Sequence, residues 1–169
     1  MESIEKIVAK QLLDIKAVKL SPENPFTWAS GWKSPIYCDN RKVLSYPAAR
    51  KVVYNAFVDI IKKNFKDVDV IAGVATGAIA VGMMVAEVLD KPFVYVRPKP
   101  KDHGTGAQVE GDLAPGARVV VVEDLISTGM SSLSAVGALE KSGAIVLGMV
   151  AIFTYNFIKS IRAFENANV

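Results

Sequence analysis

Cysteine and histidine each occur once in this chain of 169 residues, as Cys38 and His103. A single cysteine excludes an internal disulfide framework and any multi-cysteine metal site. A single histidine likewise excludes a His-cluster centre or a His-rich relay. Charge of one sign is also scarce, since a net +3 at pH 7 is too small to argue for nucleic acid by itself. The longest apolar runs, Ile79–Val85 and Ala144–Phe153, are interrupted by glycine and fall short of the ~20 residues of a membrane span. The first residues, Met1-Glu2-Ser3-Ile4-Glu5-Lys6, include two acids and no apolar core of the signal-peptide kind. These absences together predict a cytoplasmic protein with no nucleic-acid or membrane partner.

What is present suits a folded domain. Hydrophobic residues make up 51% and charged residues 22%, with a mean hydropathy of +0.28, which excludes a disordered or fibrous chain. The length matches one domain on the usual scale of ~100–200 residues. A chain of this size buries roughly 70% of its unfolded surface and needs no staples. A single domain over residues 1–169 is expected, with an N-terminal part over about 1–45 and a core over about 46–169.

Along the chain, Ser3–Leu13 has the apolar spacing of an amphipathic helix, with Ser3 as its N-cap. Ala17–Leu20 predicts a short strand, and Ser21–Pro25 a turn. Phe26–Ala29 and Ile36–Cys38 predict two strands of a hairpin around Ser30-Gly31. Pro47 opens a helix at its favoured first position. From residue 68 strands and helices alternate: strand Val68–Ala72, a helix entered from Thr76-Gly77, strand Phe93–Val96, strand Arg118–Val122, helix Ser131–Lys141, strand Ala144–Phe153 and helix Ile158–Phe164. Strand–helix–strand units of this kind imply a parallel sheet covered by helices on both faces. Arg97–Gly116, polar and rich in proline and glycine, is too long for an ordinary connection.

The segment richest in chemistry is Val119-Val120-Val121-Val122-Glu123-Asp124-Leu125-Ile126-Ser127-Thr128-Gly129-Met130-Ser131-Ser132. A buried strand here ends in two carboxylates, and a Ser/Thr/Gly loop then enters a helix. Backbone N–H groups and hydroxyls at a helix N-terminus form an anion site. The crevice beyond the carboxyl ends of parallel strands is where such folds bind ligands. Glu123 and Asp124 suit the vicinal hydroxyls of a sugar and the collection of Mg²⁺. Phosphate in the loop with diol-binding carboxylates just before it means a ribose phosphate.

Two other segments bear on the same ligand. Ala72-Gly73-Val74-Ala75-Thr76-Gly77-Ala78 lies at another strand end, where small residues let backbone amides approach an anion closely. Close helix–strand packing explains it equally well. Arg97-Pro98-Lys99-Pro100-Lys101-Asp102-His103-Gly104-Thr105-Gly106 places three fixed cations and the histidine in a stretch without apolar periodicity. It reads either as a solvated surface loop or as a basic lid over a highly charged phosphate substrate.

The run around Glu123-Asp124 resembles the motif by which type I phosphoribosyltransferases bind 5-phosphoribosyl 1-pyrophosphate (PRPP). The order Arg97-x-x-x-Lys101-Asp102-His103-Gly104 is similar to the catalytic loop of the orotate-using members. Ser30-Gly31-x-Lys33-Ser34-Pro35-x-Tyr37 is similar to their hood segment. The resemblance covers about Glu2 to Phe153. It implies the type I phosphoribosyltransferase fold, a central, mainly parallel sheet flanked by helices with a small N-terminal hood. The implied reaction gives orotidine 5′-monophosphate and pyrophosphate from orotate and PRPP, with Mg²⁺ as cofactor and no metal-ligating cluster in the protein.

By the same resemblance, Lys101, Asp124 and His103 are catalytic. Arg97, Lys99, Lys101, His103, Glu123, Asp124, Ser127, Thr128, Gly129, Met130 (by backbone), Ser131, Ala75, Thr76 and Gly77 bind PRPP. In the family the Ala75–Gly77 position holds the pyrophosphate loop, often with a non-proline cis peptide. Ser127, Tyr37 and Cys38 face orotate, with Tyr37 stacking on the base or packing on the core. A homodimer whose lid is shared between subunits follows. The chain departs from many members at Pro98 and Ala29, where they carry lysine, and at Phe153-Thr154-Tyr155, where they carry an arginine. The alternatives are a transferase for another base and a non-catalytic PRPP-sensing regulator.

Overall fold

The computed structural model describes residues 3–28, 31–100 and 107–169. They form two compact units, Met1–Val53 and Tyr54–Val169.

In the first unit, helix α1 (Ile4–Asp14) begins after Ser3 as expected and buries Leu12. Strand β1 (Val18–Leu20) pairs antiparallel with β4 (Ile36–Cys38), placing Val18 opposite Cys38. Between them, β2 (Phe26–Thr27) pairs with β3 (Lys33–Ser34). The expected hairpin therefore needs correction: the partner of Phe26–Thr27 is Lys33–Ser34, and Ile36–Cys38 belongs to another pair. Pro35 is the physical reason. It lacks an N–H for a continuous ladder, and its carbonyl instead accepts from the Ser21 N–H. A 3₁₀ segment, Asn40–Ser45, leads to α2 (Pro47–Asn64), whose first residue is the proline.

The second unit is built on the sheet of β5 (Val70–Val74), β6 (Phe93–Val96), β7 (Val109–Glu110), β8 (Arg118–Ile126) and β9 (Ile145–Thr154), in the order β7-β6-β5-β8-β9. Four of its strands are parallel, and β7 is antiparallel to β6. The crossovers are α3 (Ile79–Leu89) and α4 (Met130–Lys141), and α5 (Ile158–Ala167) follows β9. The pleat sorts the core between two faces. Val70, Ala72, Val94, Val96, Val119 and Val121 pack with Ala135, Val136 and Leu139 of α4. On the opposite face α3 lies so close that a Cβ on Gly73 would come within 2.9 Å of the Ala78 carbonyl oxygen. All four central valines, Val119–Val122, are fully buried, as a continuous β-branched run predicts.

The mainly parallel α/β sheet agrees with the sequence reading. Two details differ. Residues 97–116 contain strand β7, which two-residue pairing hides from any periodicity. β8 runs on past its carboxylates to Ile126, because Leu125 and Ile126 stay in register with Phe153 and Thr154 of β9. The phosphate-loop candidate is therefore only Ser127–Gly129.

Candidate active site

The site lies at the carboxyl ends of β5 and β8. β8 delivers Glu123 and Asp124, adjacent residues whose carboxyls lie close enough to hydrogen-bond. Glu123 is buried. Its Oε2 accepts 2.8 Å from Ser132 Oγ, and its Oε1 accepts 2.9 Å from the Asp124 backbone N–H. Burial pushes the Glu123 carboxyl up, to about 8, and the Asp124 carboxyl beside it adds to the rise, while the bonds from Ser132 and the Asp124 N–H pull it back.

Asp124 is half-buried and points to the loop after β5. A Cβ placed on Gly77 would collide with the Asp124 carboxylate, Oδ2 first. The absence of a side chain at 77 is therefore what lets the carboxylate lie over this loop. Here the Ala75–Thr76 peptide bond is cis. Ala75 N–H donates to the Val96 carbonyl, Ala78 N–H donates back to the Val74 carbonyl, and Thr76 is exposed.

Beyond Ile126, Ser127 and Thr128 are half-buried, and Gly129 turns the chain into α4 at φ +81°. That positive φ favours glycine. A Cβ there would also come within 2.9 Å of the Phe164 ring of α5. The first turn of α4 leaves its leading N–H groups without intrahelical acceptors, aimed at the loop. Met130 is 70% exposed and Ser131 is exposed, whereas Ser132 turns inward.

The structure brings Ala75, Thr76 and Gly77 together with Asp124, and Glu123 with the start of α4. At the end of β6, Arg97 is pinned by paired bonds, its N–H to the Gln108 carbonyl and Gln108 Nε2 to its own carbonyl, each 2.9 Å. Its guanidinium lies 3.7 Å from Glu110. Lys99 is exposed. Lys101 and His103, expected to be catalytic, lie outside the described residues, as do Ala29 and Ser30 of the hood motif. In the first unit, Tyr37 is partly exposed with its ring 5.5 Å from that of Phe26. Cys38 is buried, and its thiol donates to Asn40 Oδ1 at 2.9 Å.

Sequence reasoning missed Ser132, Gln108 and Phe164. Ser131 and Ser132 are indistinguishable by residue type and are separated only by about 100° of helical rotation. Gln108 and Phe164 are placed by tertiary pairing alone.

Among the described residues no three His, Cys, Asp or Glu side chains converge on a metal site. The neighbouring carboxylates Glu123 and Asp124 are a donor set of the kind that suits Mg²⁺, which dehydrates reluctantly and is usually held by one or two carboxylates plus substrate phosphates. Among the described residues no helix is long and apolar enough to cross a membrane.

A parallel sheet with a small-residue loop, a carboxylate pair and a Ser/Thr/Gly helix entry defines the phosphoribosyl transferase class. The family described as "Phosphoribosyl transferase domain" matches residues 40–157. Orotate phosphoribosyltransferase of Phocaeicola vulgatus is 60% identical over 169 residues, covering 100% of this chain and 80% of the relative. The protein of that name from Lactococcus lactis subsp. lactis is 58% identical over 167 residues, 99% of this chain and 80% of the relative. The crystal structure of orotate phosphoribosyltransferase from Aeropyrum pernix superposes with a TM-score of 0.82 at 29% identity, over 96% of this chain and 89% of that one. The chain belongs to the orotate phosphoribosyltransferase family.

Proposed function

We infer that this chain transfers the 5-phosphoribosyl group of PRPP to orotate, giving orotidine 5′-monophosphate and pyrophosphate, a step of pyrimidine biosynthesis. The observation that carries this reading is the Asp124 carboxylate lying over Gly77. It joins a carboxylate suited to ribose hydroxyls to a loop suited to pyrophosphate, the two halves of one substrate.

The roles follow from the chemistry. A bond forms between the base nitrogen and the anomeric carbon as the bond from that carbon to pyrophosphate breaks. No protein nucleophile is required. Catalysis is then positioning plus stabilisation of charge that develops on the leaving group. Ser127, Thr128, Gly129, Met130 and Ser131 hold the 5′-phosphate through N–H groups and hydroxyls. Asp124 and Glu123 hold the ribose hydroxyls, with Asp124 nearest the reacting carbon. Ala75, Thr76 and Gly77 receive the pyrophosphate through the backbone. Arg97, Lys99, Lys101 and His103 neutralise it, and Lys101 acts chiefly in the transition state. Ser127, Tyr37 and Cys38 are assigned to orotate by resemblance.

Asp124 is the protein carboxylate that would help hold Mg²⁺, which would supply charge neutralisation of the pyrophosphate. The resemblance further gives a cytoplasmic homodimer in which each lid serves the neighbouring subunit's site. Incubation with orotate, PRPP and Mg²⁺, read by mass spectrometry, is expected to yield orotidine 5′-monophosphate and pyrophosphate one to one. PRPP bound but unconsumed would overturn this reading in favour of a non-catalytic sensor.

A further inference from the structure

We propose that Ser132 is a positioning residue for ribose recognition, acting through Glu123. The inference rests on the reading of the Glu123–Asp124 pair as the ribose-holding carboxylates and adds a residue outside the phosphate-binding run. Ser132 is the third residue of α4 and only 1% exposed. Its hydroxyl donates to Glu123 Oε2 at 2.8 Å, while the Asp124 N–H occupies Oε1 at 2.9 Å. Each carboxyl oxygen thus has an internal donor, and the Asp124 carboxyl bears on the same group. The Ser132 bond spans the whole loop from β8 to α4 and fixes the orientation of the Glu123 carboxyl beside Asp124.

The residue type argues for the bond. Alanine is the better helix former, and a serine within a helix ordinarily turns to solvent or back-bonds to the preceding turn. Ser132 instead reaches another element. Without its hydroxyl, Oε2 loses the donor that Ser132 supplies in a residue only 4% exposed, and an unsatisfied buried carboxyl oxygen reorients to find another. Ser131, one residue earlier, is exposed and bears on the phosphate instead.

Calorimetric titration of the full chain with PRPP, and separately with inorganic pyrophosphate, tests this. Ser132→Ala is expected to weaken PRPP by about tenfold while leaving pyrophosphate within twofold. Ser132→Thr restores PRPP binding, and Ser132→Cys, with a weaker donor of similar size, lies between. In a Glu123→Gln background, Ser132→Ala adds less than twofold. Wild-type PRPP affinity in both Ser132→Ala and Ser132→Cys would overturn the proposal. An equal loss for pyrophosphate, or an undiminished effect in the Glu123→Gln background, would do the same. Binding is read without an acceptor base. A protein that binds PRPP but leaves orotate unchanged therefore overturns the function while this test still stands.

Discussion

The carboxylate of Asp124, at the end of one central strand, fills the space a side chain on Gly77 would need at the end of the neighbouring strand. Two loops separated by almost fifty residues are thereby fitted to each other. A side chain at position 77 would displace the Asp124 carboxylate or the loop at 75–77.

Gly77→Ala is accordingly a catalytic lesion more than a folding one. The added methyl must push aside Asp124 or the loop. We expect kcat/KM to fall about 10²-fold, the cost of displacing reacting groups by about 1 Å, with an unchanged circular dichroism spectrum. Wild-type kcat/KM in this variant would contradict the close approach.

Gly129→Ala meets two obstacles, a positive φ of +81° and the Phe164 ring 2.9 Å from the new carbon. The left-handed conformation alone costs about 1–2 kcal/mol for a non-glycine residue. Urea unfolding is expected to show at least that loss. Adding Phe164→Ala relieves the contact but not the dihedral, so the double variant loses less than the two single effects summed.

Asp69 and Arg118 meet through paired side-chain bonds of 2.8 and 2.9 Å, and the Arg118 N–H also donates to Asp69. Hydrogen bonds from Arg118 hold the Asp69 carboxyl well below the usual carboxylate range. A depressed folded-state pKa contributes stability above the unfolded value of ~4 and loses it as pH falls below that. Melting of wild type against Asp69→Asn should show a gap at pH 7 that narrows steadily in acid. A gap that is constant with pH would mean the charge of Asp69 is not what stabilises.

Lys101→Ala is expected to separate binding from chemistry. A cation that meets the leaving group mainly in the transition state lowers kcat far more than it weakens PRPP binding. Stopped-flow turnover with a parallel titration reads both. Near-normal turnover would remove the basic loop from the mechanism.

The sheet was legible because its signals are local. Val119–Val122 could only be a buried strand, and Pro47 could only start a helix. The turn at Ser127–Gly129 was legible for the same reason, since hydroxyl residues and glycine at a helix entry are local signals. The pairing of Phe26–Thr27 was not legible, because two-residue strands have no period and Pro35 redirects the ladder. β7 hid within a polar stretch for that reason too. The contacts of Asp124 with Gly77 and of Ser132 with Glu123 depend on how strands and helices are laid side by side. Sequence supplied the residue types there, and packing decided which of them meet.

At this site the phosphoribosyl group of PRPP is expected to pass to orotate as pyrophosphate leaves. Loss of orotate absorbance on adding PRPP, with and without Mg²⁺ and with uracil, hypoxanthine and adenine as parallel acceptors, tests it most directly. The account predicts Mg²⁺-dependent loss with orotate alone. Turnover of another base, or none with any base while PRPP still binds, would contradict it.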